Sequence, residues 1–152
     1  MSRDKEDAFD REVRRVVYGR TAGEGRVPSA AEVAAALGSA REEARASFAR
    51  LAAAHVLVLQ GEGGEILMAA PFAAVPTPFL VESGGREYYG NCVWDALGIP
   101  VVLGRDARVA ASCGCCGTSM ELAVRGGALE AAEGVVHFAL PAARWWDDVV
   151  FT

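Results

Sequence analysis

Tyr88-Tyr-Gly-Asn-Cys-Val-Trp-Asp-Ala-Leu-Gly-Ile-Pro-Val-Val-Leu-Gly-Arg-Asp-Ala-Arg-Val-Ala-Ala-Ser-Cys113 is the stretch on which the reading of this chain turns. It leaves an extended, Tyr-rich segment at Gly90 and offers Asn91 as the start of a short helix through Leu97. Residues three apart share a helix face, so Cys92 and Asp95 become neighbours there. After seventeen intervening residues comes Cys113-Gly-Cys-Cys-Gly117. C-x2-D followed by C-x2-C-G has the spacing of a ribbon-type zinc site in which one Cys has become Asp. A thiolate pair beside a carboxylic acid is also what holds a soft metal and delivers a proton to a group bound to it. Both readings stand at this level.

Working outward, 152 residues with 52% hydrophobic side chains are enough for one compact domain or two small ones sharing a core. The formal charge of −5 removes the global phosphate attraction of a nucleic-acid binder, so no nucleic-acid partner is expected. No apolar run approaches the roughly 20 residues that span a bilayer, and Met-Ser-Arg-Asp-Lys-Glu-Asp at the N-terminus lacks a signal-peptide core. The expected location is cytoplasmic, with no membrane partner. In a reducing compartment, four cysteines within positions 92–116 argue for metal or thiol chemistry rather than a disulfide framework.

Upstream, Phe9, Val13, Val16 and Val17 recur at helical spacing, and this first helix is expected to fail at Gly19 and the Gly23-Glu-Gly25 turn. Ser29-Ala-Ala-Glu32 and Ser39-Ala-Arg-Glu42 read as capping boxes that start two further helices. Val56–Leu59 and Glu65–Met68 then read as a hairpin. Helix, helix, helix, hairpin is the order of a winged helix. Arg41, Arg45 and Arg50 lie on its third helix, but residues 1–70 carry ten basic against eleven acidic side chains, so DNA binding is not signalled. His55 reads as a helix-end residue. Pro71, Pro76 and Pro78 mark the boundary, giving a helical module over residues 1–75 and a second domain over 76–152.

In the second part, Thr77–Val81 and Arg86–Tyr89 read as a hairpin. Ile99–Leu103, Ala107–Ala111, Glu121–Val124 and Gly134–Leu140 read as strands or extended segments, and Ala142–Val150 as a final helix. The expected class is α+β, with a winged-helix-like module followed by a small mixed or antiparallel sheet domain.

The run from Tyr88 to Cys113, with its Cys-x-x-Asp-x-Leu and its Gly104-Arg-Asp-Ala-Arg-Val109, resembles the alkylmercury (organomercurial) lyases. Val136-His-Phe138, Pro141 and Trp145 or Trp146 are similar to later family segments, and the resemblance covers about residues 76–148. It implies protonolytic cleavage of a carbon–mercury bond, with Cys92 as the first thiolate on mercury and Asp95 as the proton donor. Mercury is then substrate and product ion, and no cofactor is required. The family's second catalytic Cys lies four residues before the His of the Val-His-Phe segment, and here that position is Glu133. Cys113 corresponds to a family cysteine regarded as structural. The second thiolate is therefore expected from Cys115 or Cys116.

The alternative is a non-catalytic metal-binding or metal-sensing protein of the same fold. Cys92, Asp95, Cys113 and Cys116 would then surround zinc, copper or mercury, with Cys115 pointing away. Asp95 could instead pair with Arg105 or Arg108. His137 is expected as a core histidine, Glu133 as an exposed turn residue, and Tyr88, Tyr89 and Trp94 as pocket-lining or packing aromatics. Cys92, at a helix start, is expected to have a lowered thiol pKa. The sequence leaves a homodimer open.

Overall fold

The structure is a computed structural model and describes residues 3–130 and 132–149. Its first part is three helices: α1 (Arg3–Glu24), α2 (Ala30–Leu37) and α3 (Arg41–Ala53). α1 passes through Gly19 instead of stopping there. A mid-helix Gly costs only about 1 kcal/mol against Ala, and burial of Val17 before it and Thr21 after it, with Thr21 Oγ1 donating to Val17 O at 2.7 Å, holds the helix through it. α2 begins as read: Ser29 Oγ accepts from the Glu32 N–H, and the Glu32 carboxylate accepts from the Ser29 N–H at 2.9 Å. α3 starts one residue later than read. Ala40 is its first flanking residue, Glu43 rather than Glu42 accepts the Ala40 N–H at 3.0 Å, and the buried Ser39 Oγ has no partner.

The three arginines of α3 are turned to internal carboxylates. Arg50 holds Asp10 of α1 at 2.6 Å, and Arg41 and Arg45 both reach Glu65 at 3.2 and 3.3 Å. Glu65 immediately precedes the second strand of a three-stranded antiparallel sheet of order β1 (Val58–Leu59), β2 (Ile66–Ala69), β3 (Phe72–Ala73). Helices and this sheet enclose one core, built on Val13, Val17, Val33, Phe48, Leu51 and Ile66.

A second, five-stranded antiparallel sheet has the order β5-β4-β6-β7-β8, formed by β4 (Leu80–Ser83), β5 (Arg86–Tyr89), β6 (Ala107–Ser112), β7 (Ser119–Arg125) and β8 (Ala128–Leu129). β6 alternates buried and exposed residues along its whole length, the pattern of a strand with one face on the core. Helix α4 (Val93–Leu103) covers that face through Ala96, Ile99 and Pro100, and with Phe72, Val81, Tyr88, Val109 and Leu122 it makes a second core. Tyr18 and Val27 pack against both cores, and Tyr88, fully buried, donates its hydroxyl to Ala22 O at 2.8 Å. Burying an aromatic of this size contributes about 1.5–3 kcal/mol. The architecture is α+β, as the sequence suggests.

Three further segments differ from the sequence reading. Ile99–Leu103 is the second half of α4, not a strand. Pro100 removes one helical N–H and crowds the carbonyl one turn back, and the helix continues through it with Ile99 and Pro100 buried. Gly104, in the left-handed region at φ 60°, then closes the helix. Residues 134–140 are irregular and mostly exposed, with Val135 92% accessible. The chain after β7 pairs with it only at Val124 and Arg125, through β8, and residues 134–140 add no strand to that edge. The last helix is a 3-10 turn, Ala142–Asp147, and the sequence-predicted end at Val150 lies outside the described residues. No helix among the described residues is long and apolar enough to cross a membrane.

Candidate functional site

Gly90 sets the approach of α4 to the sheet. A Cβ there would lie 2.6 Å from Ala96 N and 2.8 Å from Ala96 Cα, so only glycine lets the chain leave β5 and turn back against the first turn of the helix. The Gly90 carbonyl is held by Thr77 Oγ1 at 2.6 Å, and Gly90 bridges to Phe72 of β3. Asn91 therefore lies before the helix, and Cys92, with extended φ −147° and ψ 179°, is its N-terminal flanking residue. The Cys92 carbonyl accepts the Ala96 N–H at 2.9 Å.

The two side chains of the Cys-x-x-Asp pair both sit half-buried in this first turn. Burial pushes the Cys92 thiol up from its ordinary pKa and outweighs the backbone N–H groups of Asp95 and Trp94, while the negative carboxylate of Asp95 adds to the rise. The expectation of a lowered thiol pKa is thus reversed: the dipole at the helix start is present, but desolvation wins. Neither N–H makes a hydrogen bond of normal geometry to the sulfur. Asp95 is also raised, again by desolvation, against the lowering effect of Asn91, whose Nδ2 donates to Asp95 Oδ2 at 2.9 Å. That places beside Cys92 a carboxyl group that holds its proton more tightly than a surface Asp.

Asp95 makes no ion pair among the described residues. Arg108 is with Glu121 at 3.5 Å, so the pairing with Arg105 or Arg108 is not formed. The residue that sequence reasoning missed in this role is Asn91, taken there only as a helix start. Its signal is its place just before the helix start, from which a side-chain amide can reach back over the first turn to the carboxylate of Asp95. Its Oδ1 is buried and has no partner.

Aromatic side chains flank this turn. Trp94, 57% exposed, meets Phe138 edge-on at 6.1 Å, and Phe138 lies 4.9 Å from Trp145. Trp146 stacks on His55 at 4.1 Å, tying the last described segment to the end of α3. His55 follows the helix end in the left-handed region at φ 60°. His137 is exposed in the irregular segment and not in a core, because the strand expected around it does not form. Glu133 is exposed, as expected of a turn residue. Tyr88 is committed to the core. A surface concavity of about 480 Å³ opens elsewhere, among Glu82–Glu87, Asp106–Arg108 and Arg125, and includes neither Cys92 nor Asp95.

Cys113, Cys115 and Cys116 occupy the turn between β6 and β7. The Cys113 N–H reaches Thr118 O at 2.9 Å and the Gly117 N–H reaches Cys113 O at 2.8 Å, with Gly117 at φ 71°. The three sulfurs lie within 4.8 Å of one another, and those of Cys113 and Cys115 are 3.2 Å apart. Sharing hydrogen bonds with Cys115 holds the Cys113 thiol down at about 7 and pushes Cys115 up. Among the described residues this is the group of Cys, His, Asp or Glu ligand atoms that a metal could bridge; Cys92 and Asp95 are not in it. The structure brings together Cys92 with Asp95, and Cys113 with Cys115 and Cys116, as two separate sets.

The family model for alkylmercury lyase (MerB) matches residues 72–152, more than half of the chain. Comparison with curated protein sequences gives no match. Among solved structures, the crystal structure of the mercury-bound form of MerB2 is similar in fold, with a TM-score of 0.62 at 20% identity, covering 79% of this chain and 59% of that one. The chain thus spans less than two thirds of that protein's length. The matched residues run from Phe72 in the second core through α4 and the thiol turn to the last aromatics, and on that match the chain belongs to the alkylmercury lyase family.

Proposed function

We propose that the chain is an organomercurial lyase in which Cys92 takes the mercury and Asp95 protonates the departing carbon. The observation that carries this reading is the half-buried Cys92–Asp95 pair, with the Asp95 carboxyl raised by desolvation and oriented by Asn91. A raised carboxyl can take the thiol proton, stay neutral in an apolar site, and give that proton up again.

The steps balance with these groups, a second cysteine and solvent. The Cys92 thiol passes its proton to the Asp95 carboxylate, the resulting thiolate forms a sulfur–mercury bond, and the ligand previously opposite carbon leaves as an anion. The second cysteine, exposed, loses its proton to solvent as its sulfur adds to mercury, and this raises electron density on the bound carbon. Asp95 then donates its proton to that carbon. The carbon–mercury pair becomes the new C–H bond, hydrocarbon departs, and mercuric ion stays on two sulfurs.

The second sulfur is assigned to Cys115 or Cys116, whose exposure on a Gly-flanked turn leaves them free to reorient. In the structure they do not share a ligand group with Cys92, so this step requires the turn to move. The reading is tested by hydrocarbon release from an alkylmercury substrate by the reduced, metal-free chain. Release that depends on Cys92 is expected; equal release from Cys92→Ser would overturn it.

A further inference from the structure

The cleavage chemistry uses one sulfur of the β6–β7 turn and leaves two. We propose that Cys113, Cys115 and Cys116 form a trithiolate site that binds a soft metal ion in three-coordinate fashion and receives the mercuric ion left at Cys92. The site stands on its own sulfurs; the source of its cargo rests on the lyase reading.

The geometry fits such an ion. Three sulfurs in a plane around a metal at bond lengths near the zinc–thiolate value lie roughly 4 Å apart. The observed sulfurs are all within 4.8 Å of one another, with one pair at 3.2 Å, so small rotations of exposed side chains close the ring. The Cys113–Thr118 and Cys113–Gly117 hydrogen bonds hold the turn's internal shape even when it moves as a unit, so closing the three sulfurs on an ion orders only side chains. No carboxylate or imidazole belongs to the group. An all-sulfur donor set selects soft ions, and without a fourth protein ligand it leaves zinc short of its tetrahedral set.

Transfer proceeds by thiolate exchange. Once one turn sulfur is on mercury, its two neighbours each lose a proton to solvent and form a sulfur–mercury bond. The Cys92–mercury bond breaks with its electron pair on sulfur, and Cys92 takes a proton back. The site at α4 is thereby free for another substrate.

The test uses the full reduced chain carrying Cys92→Ser, titrated with inorganic mercury(II) against an excess of a competing monothiol. Native mass spectrometry reads stoichiometry, and alkylation mapping reads which thiols are protected. One mercury per chain is expected, with all three turn cysteines protected. Adding Cys113→Ser, Cys115→Ser or Cys116→Ser should weaken retention by roughly 100-fold or more, since a tethered donor acts at high effective concentration. These exposed replacements are close in size, and circular dichroism checks the fold. Retention unchanged by one of the three replacements, alkylation of the turn in the presence of mercury, or tighter retention of zinc than of mercury would overturn the site. The two readings separate in the wild-type chain. A protein that protects its turn with mercury yet releases no hydrocarbon loses the lyase reading and keeps this site. One that releases hydrocarbon while the turn stays open to alkylation does the opposite.

Discussion

Asn91 donates its side-chain amide to the carboxyl of Asp95 at 2.9 Å, from a position where its own Oδ1 is buried without a partner. The hydrogen bond opposes the desolvation that raises Asp95, so Asn91 sets both the direction of the carboxyl and how tightly it holds its proton. The same Nδ2 lies 3.4 Å from Pro71 O, which links the start of α4 to the segment joining β2 and β3.

Asn91→Ala should therefore push Asp95 further up, because the one cause that lowers it is removed. The acidic limb of the pH profile for hydrocarbon release should move to higher pH, with little change in the circular dichroism spectrum. An unshifted profile in a folded variant would separate Asn91 from the titration of Asp95.

The raised Asp95 also makes a stability prediction. The folded chain binds this proton more tightly than the unfolded chain, so the group favours folding at low pH and this contribution is lost as pH rises through the folded-state pKa. Asp95→Asn keeps the shape and the acceptor for Asn91 while removing the charge. It should raise the melting temperature at neutral pH, and the gain should vanish below the ordinary carboxylate pKa. A lower melting temperature at neutral pH would show that the ionised carboxylate is held by partners stronger than Asn91.

Thiol labelling should run in a definite order. Cys113, held at about 7 by its neighbours, should be modified ahead of Cys92, whose thiol burial raises. Peptide mapping after brief alkylation at neutral pH reads this directly, and early modification of Cys92 would mean that the helix-start dipole prevails over desolvation.

The site pair was legible because Cys-x-x-Asp needs only helical spacing to become a pair, and the thiol turn because glycines flank it. The helix carrying the pair was read too short. Ile99, Pro100, Val101 and Val102 have extended-chain preferences, and what makes them helical is burial of Ile99 and Pro100 against strands distant in sequence. The thiol pKa of Cys92 was misread for a related reason: helix position is visible in a sequence, and depth beneath neighbouring elements is not. Residues 134–140 have the apolar content of a strand, but they stay mostly exposed, and without a buried face that content does not make one. The aromatic contacts of the last segment, Trp146 on His55 and Phe138 on Trp94, join residues far apart in the chain, and no local pattern announces them.

Restoring the missing sulfur offers a further check. Glu133 is exposed and stands where the resemblance places the second thiolate. Glu133→Cys should accelerate hydrocarbon release by roughly tenfold or more if the turn's movement limits the second sulfur–mercury bond, since a positioned thiol has a high effective molarity. An unchanged rate would indicate that Cys115 or Cys116 already reaches mercury without delay.

Single-turnover cleavage of an alkylmercury compound in D2O, with the wild-type chain and Asp95→Asn side by side, tests the proposed protonolysis most directly. The wild-type chain should release hydrocarbon carrying one deuterium, and Asp95→Asn should retain mercury on Cys92 while releasing hydrocarbon about 10²–10⁴-fold more slowly, the usual contribution of a positioned acid. Hydrocarbon released at the same rate by Asp95→Asn, or by the wild-type chain without deuterium, would contradict proton donation by Asp95.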